Sequence, residues 1–246
     1  MCRSAIWTIN EMVSKICSNG YDVVLGGRVK IKASSEAATV YDLRSIQGRY
    51  KTILADPPWR FQNRTGKVAP EHVRLRRYET MSIEEICALP VAEYADDPAH
   101  LYLWVPNALL PWGLRVMEAW GFLYKANVIW YKVRKDGGPD GRGVGFYFRN
   151  VTEILLFGTR GKMRTLAPGR RQVNIIATRK REHSRKPSAV YGLIERCSPG
   201  PRLELFARER IDGWTQWGLE VDTYAERRKA HPMYDSDERS AYNFSS

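Results

Sequence analysis

Tyr50-Lys51-Thr52-Ile53-Leu54-Ala55-Asp56-Pro57-Pro58-Trp59 is the stretch that decides the fold. Its first six residues read as a short buried strand. The two prolines that follow lack the N–H a sheet ladder needs, so the strand stops there and Asp56 stands at its carboxyl end. The same short apolar pattern returns at His100–Val105, Phe122–Lys132, Glu153–Phe157, Val173–Ala177 and Leu203–Phe206. Helical signals lie between several of these runs. Ser82-Ile83-Glu84-Glu85 is a capping box opening a helix to about Leu89. Ala108–Trp120 carries Pro111 in its first turns and Gly121 as its stop, and Ser188–Arg196 is a third helix. Strands alternating with helices predict an α/β fold: a mostly parallel sheet with helices on both faces.

One hydrophobic core can serve a chain of 246 residues, so a single main domain is expected over residues 49–222. Residues 1–48 read as an N-terminal appendage, with a helical stripe through Ile6, Ile9, Val13 and Ile16 and a hairpin around Gly26-Gly27. Residues 223–246 read as a polar tail. Arg60–Arg77, Val133–Arg149 and Gly158–Arg171 are expected as long loops, a length that usually marks function, and Arg179–Lys186 is a further basic run between elements.

Charge narrows the partner. Lys and Arg total 39 against 27 acids, a net charge of +12. The excess is concentrated: Lys132–Lys186 holds fifteen cations against four acids, and Arg60–Arg77 six against one. Such runs, interleaved with Tyr131, Phe146, Tyr147 and Phe148, predict a nucleic-acid surface, with Arg64, Arg76, Arg77, Arg134, Lys135, Arg142, Arg149, Arg179 and Lys180 as candidate phosphate contacts. The four cysteines and four histidines are scattered without ligand spacing, so no metal site is expected. No apolar run is long enough to span a membrane, and a cytoplasmic, nucleoid-associated protein of a prokaryote or phage is the expectation.

Asp56-Pro57-Pro58-Trp59 also suggests chemistry. Ligands of an open α/β sheet bind at the carboxyl ends of its strands. Prolines restrict the backbone and leave acceptors without donors, so a fixed carboxylate and main-chain carbonyls sit beside an aromatic plane. That set suits a planar heterocycle with an exocyclic amine, whose N–H groups donate while Trp59 or Tyr78 stacks on the ring.

Asp56-Pro57-Pro58-Trp59, Tyr78-Glu79-Thr80-Met81-Ser82, Leu103-Trp104, Trp120-Gly121-Phe122, Glu153, Lys186-Pro187, Glu204-Leu205-Phe206-Ala207-Arg208 and Trp217-Gly218, in this order, resemble the MT-A70 family of S-adenosylmethionine-dependent adenine N6-methyltransferases. The resemblance runs from about Tyr50 to Glu220. It implies a Rossmann-like methyltransferase whose catalytic motif precedes the cofactor-binding strand. It also implies that Asp56, Pro57, Pro58 and Trp59 form the catalytic motif, in which Asp56 and the Pro57 carbonyl hold the target amine, with Trp59 and Tyr78 shaping the base pocket. Lys186 would meet the methionine carboxylate of S-adenosylmethionine, and Glu204, Phe206, Arg208, Gly218 and Glu220 would line its ribose and adenine side. Asp42 either reaches the cofactor's adenine amine or is a solvent-exposed helix residue. Arg185 stands where the family's messenger-RNA members often have His, and Glu209-Arg210-Ile211-Asp212 replaces an Asn-rich stretch, which bears on the ribose contacts.

The expected activity is methylation of adenine N6 in DNA. The alternatives are RNA adenine methylation, N4-cytosine methylation, or an inactive nucleic-acid-binding subunit. A homo-oligomer or a partner subunit is compatible with either class.

Overall fold

A computed structural model describes residues 43–60, 80–141, 147–179, 186–218 and 221, all within the unit Asp42–Ser246. The appendage helix and hairpin, the tail, Asp42, Arg64, Arg76, Arg77, Tyr78, Arg142, Lys180 and Glu220 lie outside the described residues.

Seven strands form one sheet: β1 (Tyr50–Ala55), β2 (Ala95–Val105), β3 (Leu123–Val133), β4 (Thr152–Arg160), β5 (Ile175–Arg179), β6 (Arg202–Leu205) and β7 (Thr215–Trp217). Their order across the sheet is β5-β3-β4-β2-β1-β6-β7. Every neighbouring pair is parallel except those involving β4, which runs antiparallel to both β2 and β3. The expected mostly parallel sheet is therefore present, with one reversed strand inside it. β1 lies between β2 and β6, strands that come from distant parts of the chain, so the crevice at its end is the kind of crossover point where α/β sheets bind ligands.

Helices α1 (Ile83–Cys87), α2 (Val91–Tyr94), α3 (Leu110–Ala119) and α4 (Ala189–Cys197) complete the described fold. α1 opens with the anticipated capping box: Ser82 Oγ accepts from the Glu85 N–H at 3.2 Å, and the Glu85 carboxylate accepts from the Ser82 N–H at 2.7 Å. Trp120, fully buried, donates from Nε1 to the Ile86 carbonyl at 2.9 Å and ties α1 to the end of α3. The two longer helices cover opposite faces, because side chains alternate along a strand. Leu54, Tyr102, Trp104, Leu155 and Ile176 face Val190, Leu193 and Ile194 of α4. On the other face Gly113 of α3 fits against Val105 and Leu156, and Met117 fits against Gly158.

Three differences from the sequence reading have local causes. β2 begins at Ala95, ahead of its apolar run, because Tyr50 pairs with Ala95 across the parallel ladder. β7 has three residues, too few to show a period, and is held by β6. Gly158–Arg171 is not one long loop: Gly158–Arg160 belong to β4, and Ala167–Arg171 form a 3-10 turn packed through Gly169 onto Cys197. Among the described residues no helix is long and apolar enough to cross a membrane.

A Cβ added to Gly113 would meet Val105 Cγ2 at 2.5 Å and Leu156 Cδ1 at 3.1 Å. Gly113→Ala thus loses more by overpacking than the helix gains in propensity, at a cost of about 1–3 kcal/mol. Thermal denaturation is expected to show a melting temperature lower by several degrees. An unchanged melting temperature would mean that α3 backs away from the sheet without penalty.

Candidate active site

The parallel strands bring their carboxyl ends to one side, and the reversed β4 brings its beginning there. Asp56 follows β1, Trp104 and Val105 end β2, Lys132 lies near the end of β3, Thr152 and Glu153 start β4, and Phe206 and Arg208 follow β6. Two adjoining cavities open among them. One, of about 270 Å³, is lined by Asp56, Pro57, Pro58, Trp59, Asn107 and Glu153 among others. The second, of about 60 Å³, is lined by Tyr191, Glu204, Phe206, Glu209 and Ile211. Asp56, Trp104, Lys186 and Arg208 line both.

A chain of alternating charges crosses the wall between the cavities. Lys186 Nζ donates to both oxygens of Asp56 at 2.9 Å and lies 3.3 Å from Glu153 Oε2. Lys132 donates to the other Glu153 oxygen. The two ammonium groups also sit over tryptophan rings, Lys186 at 5.3 Å from the Trp104 centroid and Lys132 at 4.8 Å from that of Trp130, so cation–π attraction adds to the ion pairs. Burial by itself raises the Glu153 carboxyl, but Lys186 and Lys132 outweigh it and bring the pKa down to about 2. Burial likewise disfavours the charged Lys186, and Asp56 with Glu153 reverses this and raises its pKa. Glu153 and Lys186 are therefore both charged at neutral pH.

The proline turn is more occupied than a sequence of bare acceptors implies. The Pro57 carbonyl accepts from the Trp59 N–H at 2.8 Å, and the Pro58 carbonyl accepts from the Met81 N–H at 2.8 Å. A carbonyl oxygen has two lone pairs and a carboxylate about four acceptor positions, so Pro57 and Asp56 each keep capacity for a ligand amine. Trp59 differs from the stacking surface expected of it. Its ring is buried and Nε1 donates to the Trp104 carbonyl at 2.9 Å, which anchors the turn to β2. On the far wall Asn107 donates from Nδ2 to the Thr152 carbonyl at 3.0 Å, fixing the loop after β2 to the start of β4.

In the smaller cavity Glu204 accepts from the Tyr191 hydroxyl at 2.9 Å and from Gln216 Nε2 at 3.3 Å. Burial raises its pKa to about 7, against the lowering effect of those two hydrogen bonds. Phe206 has φ 64°, a left-handed conformation that costs an aromatic residue energy, and its ring packs edge-on to Trp217 at 5.5 Å. The bend turns the chain from β6 into the cavity. Gly218 lines neither cavity; a Cβ there would fall 2.2 Å from the Ala207 carbonyl oxygen, so close backbone packing accounts for the glycine. A carboxylate acceptor, an aromatic ring and a guanidinium facing one cavity match the diol, heterocycle and carboxylate of S-adenosylmethionine in chemistry.

The cationic positions fall into two groups. Lys135, Arg149 and Arg179 are exposed at the same end of the sheet as Asp56, and Tyr147 and Phe148, which precede Arg149, are 95% and 84% exposed. Arg134 departs from the expected phosphate contact: its guanidinium is already engaged by Asp136 at 3.0 and 2.8 Å. Lys132, Asn107, Tyr191 and Gln216 were missed as site residues by sequence reasoning, since each is defined by a strand register or loop contact that no local pattern carries.

A sequence model of the MT-A70 family matches residues 50–220. The type II methyltransferase M.MunI of Mycoplasma sp is 29% identical over 189 residues, covering 70% of this chain and 78% of that protein. The N(6)-adenosine-methyltransferase MT-A70-like protein of Drosophila melanogaster is 31% identical, and the human N(6)-adenosine-methyltransferase catalytic subunit METTL3 is 30% identical, each over 182 residues and 72% of this chain. The match spans only 28% and 29% of those two proteins.

The raised Glu204 pKa has a stability consequence with a definite sign. The folded state holds this proton more tightly than the unfolded chain, whose carboxyl titrates near 4.5. Ionisation therefore costs stability as pH rises from about 4.5 to about 7, and the whole cost is present above that window. Glu204→Gln is expected to raise the melting temperature at pH 8.5 and to lose that advantage toward pH 4.5, followed by calorimetry across the range. A pH-independent difference would remove Glu204 as the titrating group.

Proposed function

The chain belongs to the MT-A70 family of methyltransferases, whose methyl donor is S-adenosylmethionine, and from this together with the site geometry we infer that it methylates the N6 amine of adenine in DNA. The observation that carries the reading is the Asp56–Lys186–Glu153 chain at the wall shared by two cavities, one with acceptors for an exocyclic amine and one with partners for the cofactor. Bound S-adenosylmethionine supplies an activated methyl group on a sulfonium. The chain's own residues then align the acceptor.

Lys186 holds the Asp56 carboxylate in one orientation, leaving its remaining acceptor positions for an N6 hydrogen. The second N6 hydrogen goes to the Pro57 carbonyl. Accepting both hydrogens draws the amine lone pair out of conjugation and aims it at the cofactor side, where alignment supplies much of the rate gain. Glu153, held between Lys132 and Lys186, keeps Lys186 charged and fixed. Lys186 is assigned to the methionine carboxylate, and Glu204, Phe206 and Arg208 to the ribose and adenine side. A base inside a duplex is out of reach of this pocket, so the target adenine is flipped out or single-stranded, with Tyr147 and Phe148 as stacking surfaces at the mouth.

The DNA reading is supported by the type II methyltransferase M.MunI, which is 29% identical to this chain over 189 residues. Incubation with labelled S-adenosylmethionine and single- or double-stranded DNA or RNA, followed by nucleoside analysis, tests this directly. N6-methyldeoxyadenosine is the expected product, and label found only in RNA would replace DNA as the substrate.

Asp56→Ala is expected to lower turnover by roughly 100-fold or more while cofactor affinity stays within a few fold. Near-normal turnover would remove Asp56 from the reaction. Charge reversal at Lys135 and Arg179 is expected to weaken DNA binding at all sequences and to flatten its salt dependence, whose slope is about −0.9 per phosphate neutralised. An unchanged slope would show that these side chains only solubilise the surface.

A further inference from the structure

The strand that starts at the catalytic cavity ends in a different one. Thr152 and Glu153 of β4 line the catalytic cavity, while Phe157, Thr159 and Arg160 of the same strand line an open groove of about 690 Å³ at the opposite end of the sheet. Arg160 is seven residue steps beyond Glu153, so the two sites lie about 23 Å apart along the strand.

The groove is basic. Lys125, Arg160, Lys162 and Arg164 line it, and none of its lining side chains is acidic. Asp97 packs against Gly161, yet none of the four cations forms an ion pair among the described residues. Arg160 donates to the Ala92 carbonyl at 2.7 Å, which leaves its charge uncompensated. From Arg160 to Arg171 the chain carries five cations and no acid. Between the cations lie Leu123, 64% exposed, and the partly buried Phe157 and Met163. Cations at the rim with apolar atoms at the floor suit a chain of phosphates joined by sugars and bases.

We propose that this groove is a second nucleic-acid contact, which holds the phosphate backbone at a distance from the reacting base. The inference rests on the nucleic-acid substrate assigned above and adds where else that substrate is held. About 23 Å corresponds to roughly seven base-pair steps, so nucleotides at the catalytic mouth cannot themselves fill the groove. A substrate that engages both sites must extend well beyond the methylated base.

Length dependence of binding tests this. Hairpin duplexes of about 6 base pairs, shorter than the span between the two sites, and duplexes of about 30 base pairs are built from DNA sequence that the protein methylates, or from mixed sequence if none is methylated. Affinities are measured against salt for the wild-type chain and for the double variant Lys162→Glu, Arg164→Glu. The wild-type protein is expected to bind the longer duplex at least tenfold tighter and with a steeper salt slope. The variant is expected to keep the short-duplex affinity, lose most of the gain with length, and show a slope shallower by about two on the longer duplex. Calorimetric binding of S-adenosylmethionine, expected to match wild type, checks that the variant is folded.

Equal weakening on both lengths, or no weakening on either, would overturn the proposal. So would competition in which an acidic protein or a mononucleotide, but not the longer duplex, depends on Lys162 and Arg164. Methylated DNA with no length effect would retain the activity and reject the groove. A length effect dependent on these two residues without methyl transfer to DNA would retain the groove and reject the activity.

Discussion

Lys186 is one ammonium group between two carboxylates that come from strands on either side of β2, and the site takes its form from that arrangement. Asp56 and Lys186 are 130 positions apart in sequence, yet the lysine reaches both Asp56 oxygens at 2.9 Å. Each of these side chains is only 21% exposed, so solvent screening is reduced and an unpaired charge there would be costly. Two carboxylates this close to each other would repel without a cation between them. With Lys186 in place, and Lys132 on the far side of Glu153, charge alternates and each group steadies its neighbours.

The alternation depends on the direction of β4. In a wholly parallel sheet the beginning of that strand would lie at the opposite end from Asp56, taking Glu153 with it. Running β4 antiparallel between β2 and β3 puts Glu153 level with Trp130 and Thr152 level with Tyr131, at the carboxyl end of β3. It also carries Arg160 to the other end, where the distal groove opens. One strand thus contributes an acid to the Asp56 side and a cation to the far side.

The cavity around Glu204 shows how a fold tolerates locally unfavourable features. Phe206 takes a left-handed backbone conformation, and Glu204 is buried enough to titrate near neutrality. Glu204 lies in β6 and Phe206 follows it, so the packing of that strand beside β1 fixes their position. Tyr191 from α4 and Gln216 from β7 satisfy the Glu204 oxygens, so three elements converge on one carboxylate.

Local chemistry wrote part of this into the sequence. The end of β1 was legible because proline cannot pair within a sheet, and the start of α1 because Ser82 and Glu85 cap each other three residues apart. The motifs around Asp56, Lys186 and Glu204 were legible as a family pattern for the same reason: each is a short run whose meaning does not depend on distant residues. The roles of Trp59 and Arg134 were not, since burial under β2 and capture by Asp136 are decided by neighbours in space. β7 and the 3-10 turn at Ala167–Arg171 were hidden because elements this short carry no period and exist only through what they pack against. The alternating strand and helix pattern, the position of the Asp56–Trp59 turn and the basic charge were all written in residue type and spacing. Only the tertiary structure decided that β4 reverses and that Lys186 bridges Asp56 and Glu153, because strand direction and ion pairing are fixed by contacts between segments far apart in the chain.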